Sequence, residues 1–381
     1  MDILYLNGKP KERITSMKKK SMLIIVLILT FVVSIFMFNK NHELVDKESL
    51  AVFIDNVKTD SFPSKGTVTF LKADCDNNAT IEWDKDSWGL FASNLTKKTK
   101  CNLYFKNLES INDKLNDLVK SDTTNIASDD PDGNIRYIGA SPSNYVYFNC
   151  SDYDNQTSDT CEIWRIIGLF KNINKEDGTK EDLVKIIKDD SIGSVAWDTN
   201  NSNIWANASL KSSFNSGIYY NKTLKNDTTR NMIESVVWKL GSTTSFIGDS
   251  DGNPSSLYSA ERNSSNSNNW TGKIALMYPS DYGYAVGGSD RETCLSKSLY
   301  NWISMPKCYN NNYLYKANIY QWTLMTNNLT GSYVYAVKSN GGFNYGNAYS
   351  TDDARPSLFL KSGIIINNGD GSRTNPYQLS F

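Results

Sequence analysis

Across 381 residues the chain carries one histidine, His42. That scarcity takes imidazole out of the chemistry of nearly the whole sequence, so no Ser–His–Asp, Cys–His or HExxH arrangement can be assembled. An excess of either charge is also missing. Forty Lys and Arg stand against 41 Asp and Glu, a formal net charge of −1. With no basic patch interleaved with aromatics, this balance argues against nucleic acid as a partner. Cys-x-x-Cys pairs are absent, which argues against a zinc site. Long amphipathic runs are few, which argues against a helical bundle. No position is assigned as catalytic.

One unbroken apolar run is present, residues 22–38, MLIIVLILTFVVSIFMF, behind Lys18, Lys19 and Lys20. As a helix its seventeen residues would span roughly 25 Å, close to a hydrocarbon core of about 30 Å. Residues 1–20 carry six Lys and Arg against Asp2 and Glu12, whereas Lys40 and Lys47 beyond the run are offset by Glu43, Asp46 and Glu48. The positive-inside rule then places residues 1–20 in the cytoplasm, a single-pass plasma-membrane anchor over 21–39, and residues 40–381 outside the cell. The run ends in Phe36-Met37-Phe38-Asn39-Lys40, with no small-x-small cleavage site, so the anchor reads as uncleaved.

All six cysteines lie beyond that run and fall into three local couples, Cys75/Cys101, Cys150/Cys161 and Cys294/Cys308. An even count in an exported chain favours three disulfides, each closing a short loop.

Residues 40–48 read as a polar stalk. Residues 49–107 read as a small β domain, sandwich-like, with strands at 50–54, 66–71, 79–83, 90–92 and 101–105 between turn-formers such as Asp76-Asn77-Asn78. Leu108, Ile111, Leu115, Leu118 and Val119 recur at helical steps, with Ser110 and Asn112 as candidate caps, so residues 108–128 read as a helical linker. Residues 129–381 open with strands at 135–139, 145–149, 163–170 and 183–187. Short helices follow at 208–214 and 228–240, and the region closes on strands at 273–277, 332–337 and 357–360. That order, with long irregular loops, indicates an α+β domain.

Four stretches carry a resemblance: Trp164-Arg165-Ile166-Ile167-Gly168, residues 275–285 (ALMYPSDYGYA), residues 354–362 (ARPSLFLKS), and Asn368-Gly369-Asp370-Gly371 with Asn375-Pro376-Tyr377. With them residues 129–381 resemble an uncharacterised C-terminal domain family of surface proteins from low-GC Gram-positive bacteria. That family in turn resembles the C-type-lectin-like fold, of the group that includes formylglycine-generating enzymes. The resemblance implies a loop-rich lectin-like domain and no particular activity. The catalytic cysteine pair of those enzymes has no counterpart, since Cys294 and Cys308 sit in a different context.

Aromatics are the main lead toward a ligand. Trp197, Trp205, Trp270 and Trp302 lie in Asn- and Ser-rich stretches such as Asn268-Asn269-Trp270, the setting in which indole faces stack on sugar rings beside hydrogen-bonding amides. Trp164 and Trp238 sit inside apolar periods and read as core. Two Asp-x-Asp-Gly-Asn strings, at 130–134 and 249–253, bring carboxylates close together. Asp249, Asp251 and Asn253 are the candidate ligands of a calcium ion, against a plain turn. No other cofactor is expected. Arg355, after Asp352 and Asp353, reads as a tie to that acidic loop.

The reading that results is a membrane-anchored bacterial surface protein whose distal domain binds an extracellular ligand, a glycan or cell-wall polymer. Two alternatives stand beside it. One is a surface enzyme processing polysaccharide through two carboxylates among Asp281, Asp290, Glu292, Asp352 and Asp353. The other is a structural or adhesive protein that meets other surface proteins.

Overall fold

The computed structural model describes residues 23–28, 32–37, 50–64, 66–84, 87–94, 99–243, 251–262 and 269–381. The chain divides into two compact units, Met1–Leu108 and Glu109–Phe381. It is mixed α+β, with far more sheet than helix.

In the first unit, one sheet runs in the order Val57–Thr59, Leu50–Ile54, Cys101–Asn107, Val68–Cys75. Asp55 and Asn56 both take positive φ in the two-residue turn after Leu50–Ile54, a left-handed pair that short polar side chains tolerate. Asn77 and Asn78 do the same before Thr80–Asp84. Cys75 and Cys101 face each other across adjacent antiparallel strands and are bonded. A second sheet contains Thr80–Asp84 beside Gly89–Ser93. The core draws on both sheets, with Val52, Val68, Leu103 and Phe105 from one and Leu90 and Ala92 from the other. Trp83 and Trp88 meet edge to face at 4.7 Å.

The helix expected over residues 21–39 is not what the structure draws. Leu23–Ile28 and Val32–Met37 are antiparallel strands, and Leu23–Ile25 pair with Leu90–Ala92. Their physical basis is composition: Ile24, Ile25, Val26, Ile28, Val32, Val33 and Ile35 are β-branched, and a short apolar run does not separate strand from helix by period. Among the described residues, no helix is long and apolar enough to cross a membrane.

The second unit is built on a seven-stranded sheet. Its main path is Ile126–Ala127, Ile135–Tyr137, Glu162–Asn174, Lys180–Lys188, Ser357–Phe359, Ile274–Ala275, with Tyr145–Phe148 also pairing with Glu162–Asn174. A six-stranded sheet centres on Gln321–Asn327 and Tyr333–Val337. A three-stranded sheet joins the closing strand Gln378–Ser380 through Ile365–Asn368 to Glu109–Ser110. One hydrophobic core serves all of them.

The helix Ile111–Ser121 starts on Ser110, whose hydroxyl accepts from the Asp113 amide. Ile111 and Leu115 are fully buried in that core, so this helix is part of the second unit rather than a linker. The helix expected at 228–240 is shorter. Asn226 caps Asp227–Met232, and the chain then turns into the strand Val236–Lys239. Met232, Val236 and Leu240 happen to lie at helical spacing, but Val236, Val237 and Trp238 are strand formers. Cys150–Cys161 and Cys294–Cys308 are bonded, as their spacing suggested.

Candidate functional site: a charged network under an aromatic cavity

Arg136, Gly168, Lys185 and Phe359 are register partners in one row across four neighbouring strands of the large sheet. The strands approach so closely at Gly168 that a Cβ there would stand 2.1 Å from the Ile135 carbonyl oxygen. Only glycine fits. Arg136 Nη1 donates to Asp281 Oδ1 at 3.0 Å and Lys185 Nζ to Asp281 Oδ2 at 2.5 Å. Asp281 belongs to the helix Pro279–Tyr284, and the Tyr278 amide donates to its Oδ2 at 2.8 Å. Burial pulls the Asp281 carboxyl upward, but Lys185 and Arg136 outweigh it and hold the group below its usual range. For Lys185 burial wins, lowering its pKa in spite of Asp281. Its ammonium sits among aromatic rings, 4.4 Å from the centroid of Tyr278 and 5.2 Å from that of Trp238.

Asp130 continues the network. Its Oδ2 accepts from Arg136 Nε at 2.7 Å and its Oδ1 from the Asn134 amide at 2.8 Å. The Asp-x-Asp-Gly-Asn string at 130–134 is thus a tight turn with Gly133 at positive φ, its first carboxylate used up by turn amides and Arg136. On another side lies Glu261, at the end of the helix Pro254–Arg262. It accepts from the Ser280 amide and hydroxyl and from Arg262 Nη1. Burial pushes its pKa up to about 7.

Above this network a cavity of about 200 Å³ opens between Trp238, Tyr258, Tyr278, Phe170 and Phe359. Arg262 sits over Tyr258, its guanidinium carbon 3.3 Å from the ring centroid. Tyr258 Oη donates to Asp132 Oδ2 at 2.6 Å and accepts from Asn134 Nδ2 at 2.7 Å, which fixes the ring. Lys171, Lys239 and Arg262 face the cavity with Asn172 and Asn174 beside them, and of the three cations Arg262 is paired, with Asp132 at 3.8 Å and with Glu261 at 3.2 Å. Lys185 also lines it, its charge already matched by Asp281. The cavity can hold one ring-sized polar group, offering aromatic faces, amides and surplus positive charge.

Carboxylate catalysis finds no working pair here. Asp281 and Glu261 differ in pKa as an acid and a base should. Yet both side chains are fully buried, and the oxygens of each are taken by the donors already named. The other sequence candidates do not converge with them. Asp290 pairs with Lys307 and Asp352 with Lys338, Asp353 accepts from Ser191 and Ser194, and Glu292 is exposed.

The tryptophans read as sugar platforms do not form one. Trp197, Trp205 and Trp302 are buried. Trp197 and Trp205 pack at 5.1 Å, and Trp197 Nε1 donates to the Thr323 carbonyl. Trp302 Nε1 donates to the Cys294 carbonyl, and its ring lies 5.4 Å from that of Tyr282. Trp270 is half-buried, paired across strands with Trp238 and folded over Gly272, where a Cβ would meet its ring at 2.1 Å. A loop-rich domain with few aliphatic runs fills its interior with indoles, and this decides the matter. Of the cation candidates, Asp249 lies outside the described residues. Asp251 is exposed, and Asn253 Oδ1 accepts from the Ser256 amide at the start of a helix. Among the described residues no three His, Cys, Asp or Glu side chains gather to hold a metal ion.

Arg355 does not reach Asp352 or Asp353. It donates to the carbonyls of Lys188 and Leu314 and to Gln321 Oε1. Sequence reasoning passed over Tyr258, Glu261 and Arg262, whose only signal was the i, i+4 step from Tyr258 to Arg262 on a short helix. No known family, curated protein or solved structure matches the chain.

Proposed function

We propose that the second unit is a ligand-binding module taking one acidic sugar unit of an extracellular glycan or cell-wall polymer into the cavity beside Tyr258 and Arg262. The observation that carries this is the chemistry of the walls: aromatic faces, side-chain amides and the cations Lys171 and Lys239, with Arg262 shared between Asp132 and Glu261. A ring stacks on the aromatic surface, its hydroxyls meet Asn172 and Asn174, and its acidic group meets Lys171, Lys239 or Arg262. In the same reading the unit is C-type-lectin-like, as its likeness to Gram-positive surface domains implies. Residues 21–39 would tether the chain to the plasma membrane as a helix formed in the bilayer in place of the strands Leu23–Ile28 and Val32–Met37, with 40–381 outside. Support for the tether comes from the basic 1–20 segment before an apolar run and from three disulfides, which belong to oxidising compartments.

The test is titration of the full chain against acidic and neutral glycans and peptidoglycan fragments. Saturable binding to an acidic class, lost in Arg262→Met and Lys239→Ala and kept in Trp270→Ala, supports the module. Binding indifferent to Arg262 and Lys239 sinks it, and binding to another surface protein through a different face would favour adhesion. For the tether, alkaline carbonate should fail to extract the chain from membranes, and release into the wash would overturn it.

A further inference from the structure

Three cations converge on a single carboxylate at another place in the second unit. Lys316 Nζ lies 2.7 Å from Asp189 Oδ1, Arg165 Nη1 lies 3.7 Å from that same oxygen, and Arg355 Nη2 lies 4.0 Å from it. The large sheet dictates the meeting. Arg165 pairs with Ile187, two residues before Asp189, and Arg355 Nε donates to the Lys188 carbonyl. The two guanidiniums are otherwise fixed. Arg165 Nε donates to Asn144 Oδ1 at 2.6 Å, and Tyr145 covers its face at 3.7 Å. Arg355 Nη1 is held by Leu314 and Gln321.

Arg355 Nη2 is different. Its side chain is 1 % exposed, yet this nitrogen has no hydrogen-bond partner. It lies 4.0 Å from Asp189 Oδ1, the oxygen that Arg165 Nη1 also faces. Separations of 3.7 and 4.0 Å are too long for direct hydrogen bonds and suit charges bridged by a further group. Three positive charges within 4.0 Å of one carboxylate oxygen leave an excess of two. Outside this group, exposed Asp190 acts on Arg355 and exposed Arg373 on Arg165. Desolvation first, and then the crowding of like charge, push Arg355 down to about 10 and lower Lys316 as well.

We infer that Arg165, Lys316 and Arg355 form a site for a compact oxyanion, a phosphate or a carboxylate, separate from the aromatic cavity. Such a group offers the two or three acceptor oxygens that Arg355 Nη2, Arg165 Nη1 and Lys316 Nζ are placed to meet. Lys316, with about a quarter of its side chain exposed, marks the side from which solvent reaches the cluster.

The experiment is thermal melting of the full chain in rising inorganic phosphate, with ionic strength held constant by chloride, and a parallel series in acetate. A saturable rise in melting temperature with either anion is expected. Lys316→Met, which removes one charge-assisted contact, should weaken the apparent affinity about tenfold or more. Arg355→Lys, which keeps the charge and removes Nη2, should do the same where it folds. Lys120→Met, on the exposed face of the helix Ile111–Ser121, should leave the response unchanged. A response absent from the wild-type chain overturns the inference, as does one undiminished in Lys316→Met. Loss in Lys239→Met instead would also overturn it, assigning the anion to the cavity.

Discussion

Lys185 Nζ sits 2.5 Å from Asp281 Oδ2 with neither side chain exposed, and Arg136 holds the other oxygen of that carboxylate. Two cations that flank Gly168 in one sheet row therefore depend on one helix residue. A buried ion pair of this kind is weak evidence of net stabilisation, but removing one partner strands the other. Asp281→Asn should therefore lower the unfolding free energy of the second unit by about 3–5 kcal/mol, read from its denaturant midpoint. Combining it with Lys185→Met should recover a large part of that loss. A double variant no more stable than Asp281→Asn would show that the pair does not act as a unit.

Glu261 gives the second unit a definite response to pH. Its carboxyl titrates near 4.5 when unfolded and is pushed up to about 7 by burial when folded. The folded state thus binds the extra proton, so the contribution is full below pH 4.5 and is lost as pH rises through 7. The loss amounts to about 3 kcal/mol. The groups held below their usual range, Asp130, Asp189 and Asp281, act in the opposite sense and only below about pH 4, outside that window. Melting temperature should fall between pH 5 and 7.5, and Glu261→Gln should flatten the fall. An equal slope in the variant would assign the effect elsewhere.

The tryptophans separate packing from recognition. Trp302 is fully buried beside Tyr282 and the Cys294 carbonyl, so Trp302→Ala should cost about 3–5 kcal/mol of stability, measured by denaturant unfolding. Where the variant still folds, its affinity for a cavity ligand should match the wild type. A specific loss of affinity at unchanged stability would return Trp302 to the ligand site.

These contrasts show what the sequence made legible. The strands at 50–54, 145–149, 183–187 and 332–337 could be read because alternation and β-branched residues act locally, and Ser110 announced its helix through a short-range cap. Cysteine spacing gave the disulfide couples for the same reason. The site was not legible. Arg136, Lys185 and Asp281 are far apart in sequence, and their register row exists only once three strands and a helix are assembled. Gly168, Asp281, Arg165 and Arg355 stood within short stretches that the sequence singled out, yet nothing local told a buried charge from a surface one. Trp197 and Trp302 misled in the reverse direction, since a polar neighbourhood in sequence says little about which side of the indole faces water.

Gly241 links the fold to the cavity through backbone alone. It donates to the Glu261 carbonyl at 3.0 Å, and a Cβ at that position would stand 1.9 Å from the Ala260 carbonyl oxygen and 2.5 Å from that of Glu261. Both contacts are with backbone, so no rotamer change relieves them. Gly241→Ala must displace the end of the helix Pro254–Arg262, and Arg262 moves with it. The variant should lose about 1–3 kcal/mol of stability from overpacking and bind a cavity ligand at least tenfold more weakly. Gly363→Ala is the control, because its Cβ would meet only the Phe381 ring at an ordinary 3.7 Å. Melting and titration of the two variants side by side decide the point: equal affinities would mean that the helix end, and Arg262 with it, does not position the ligand.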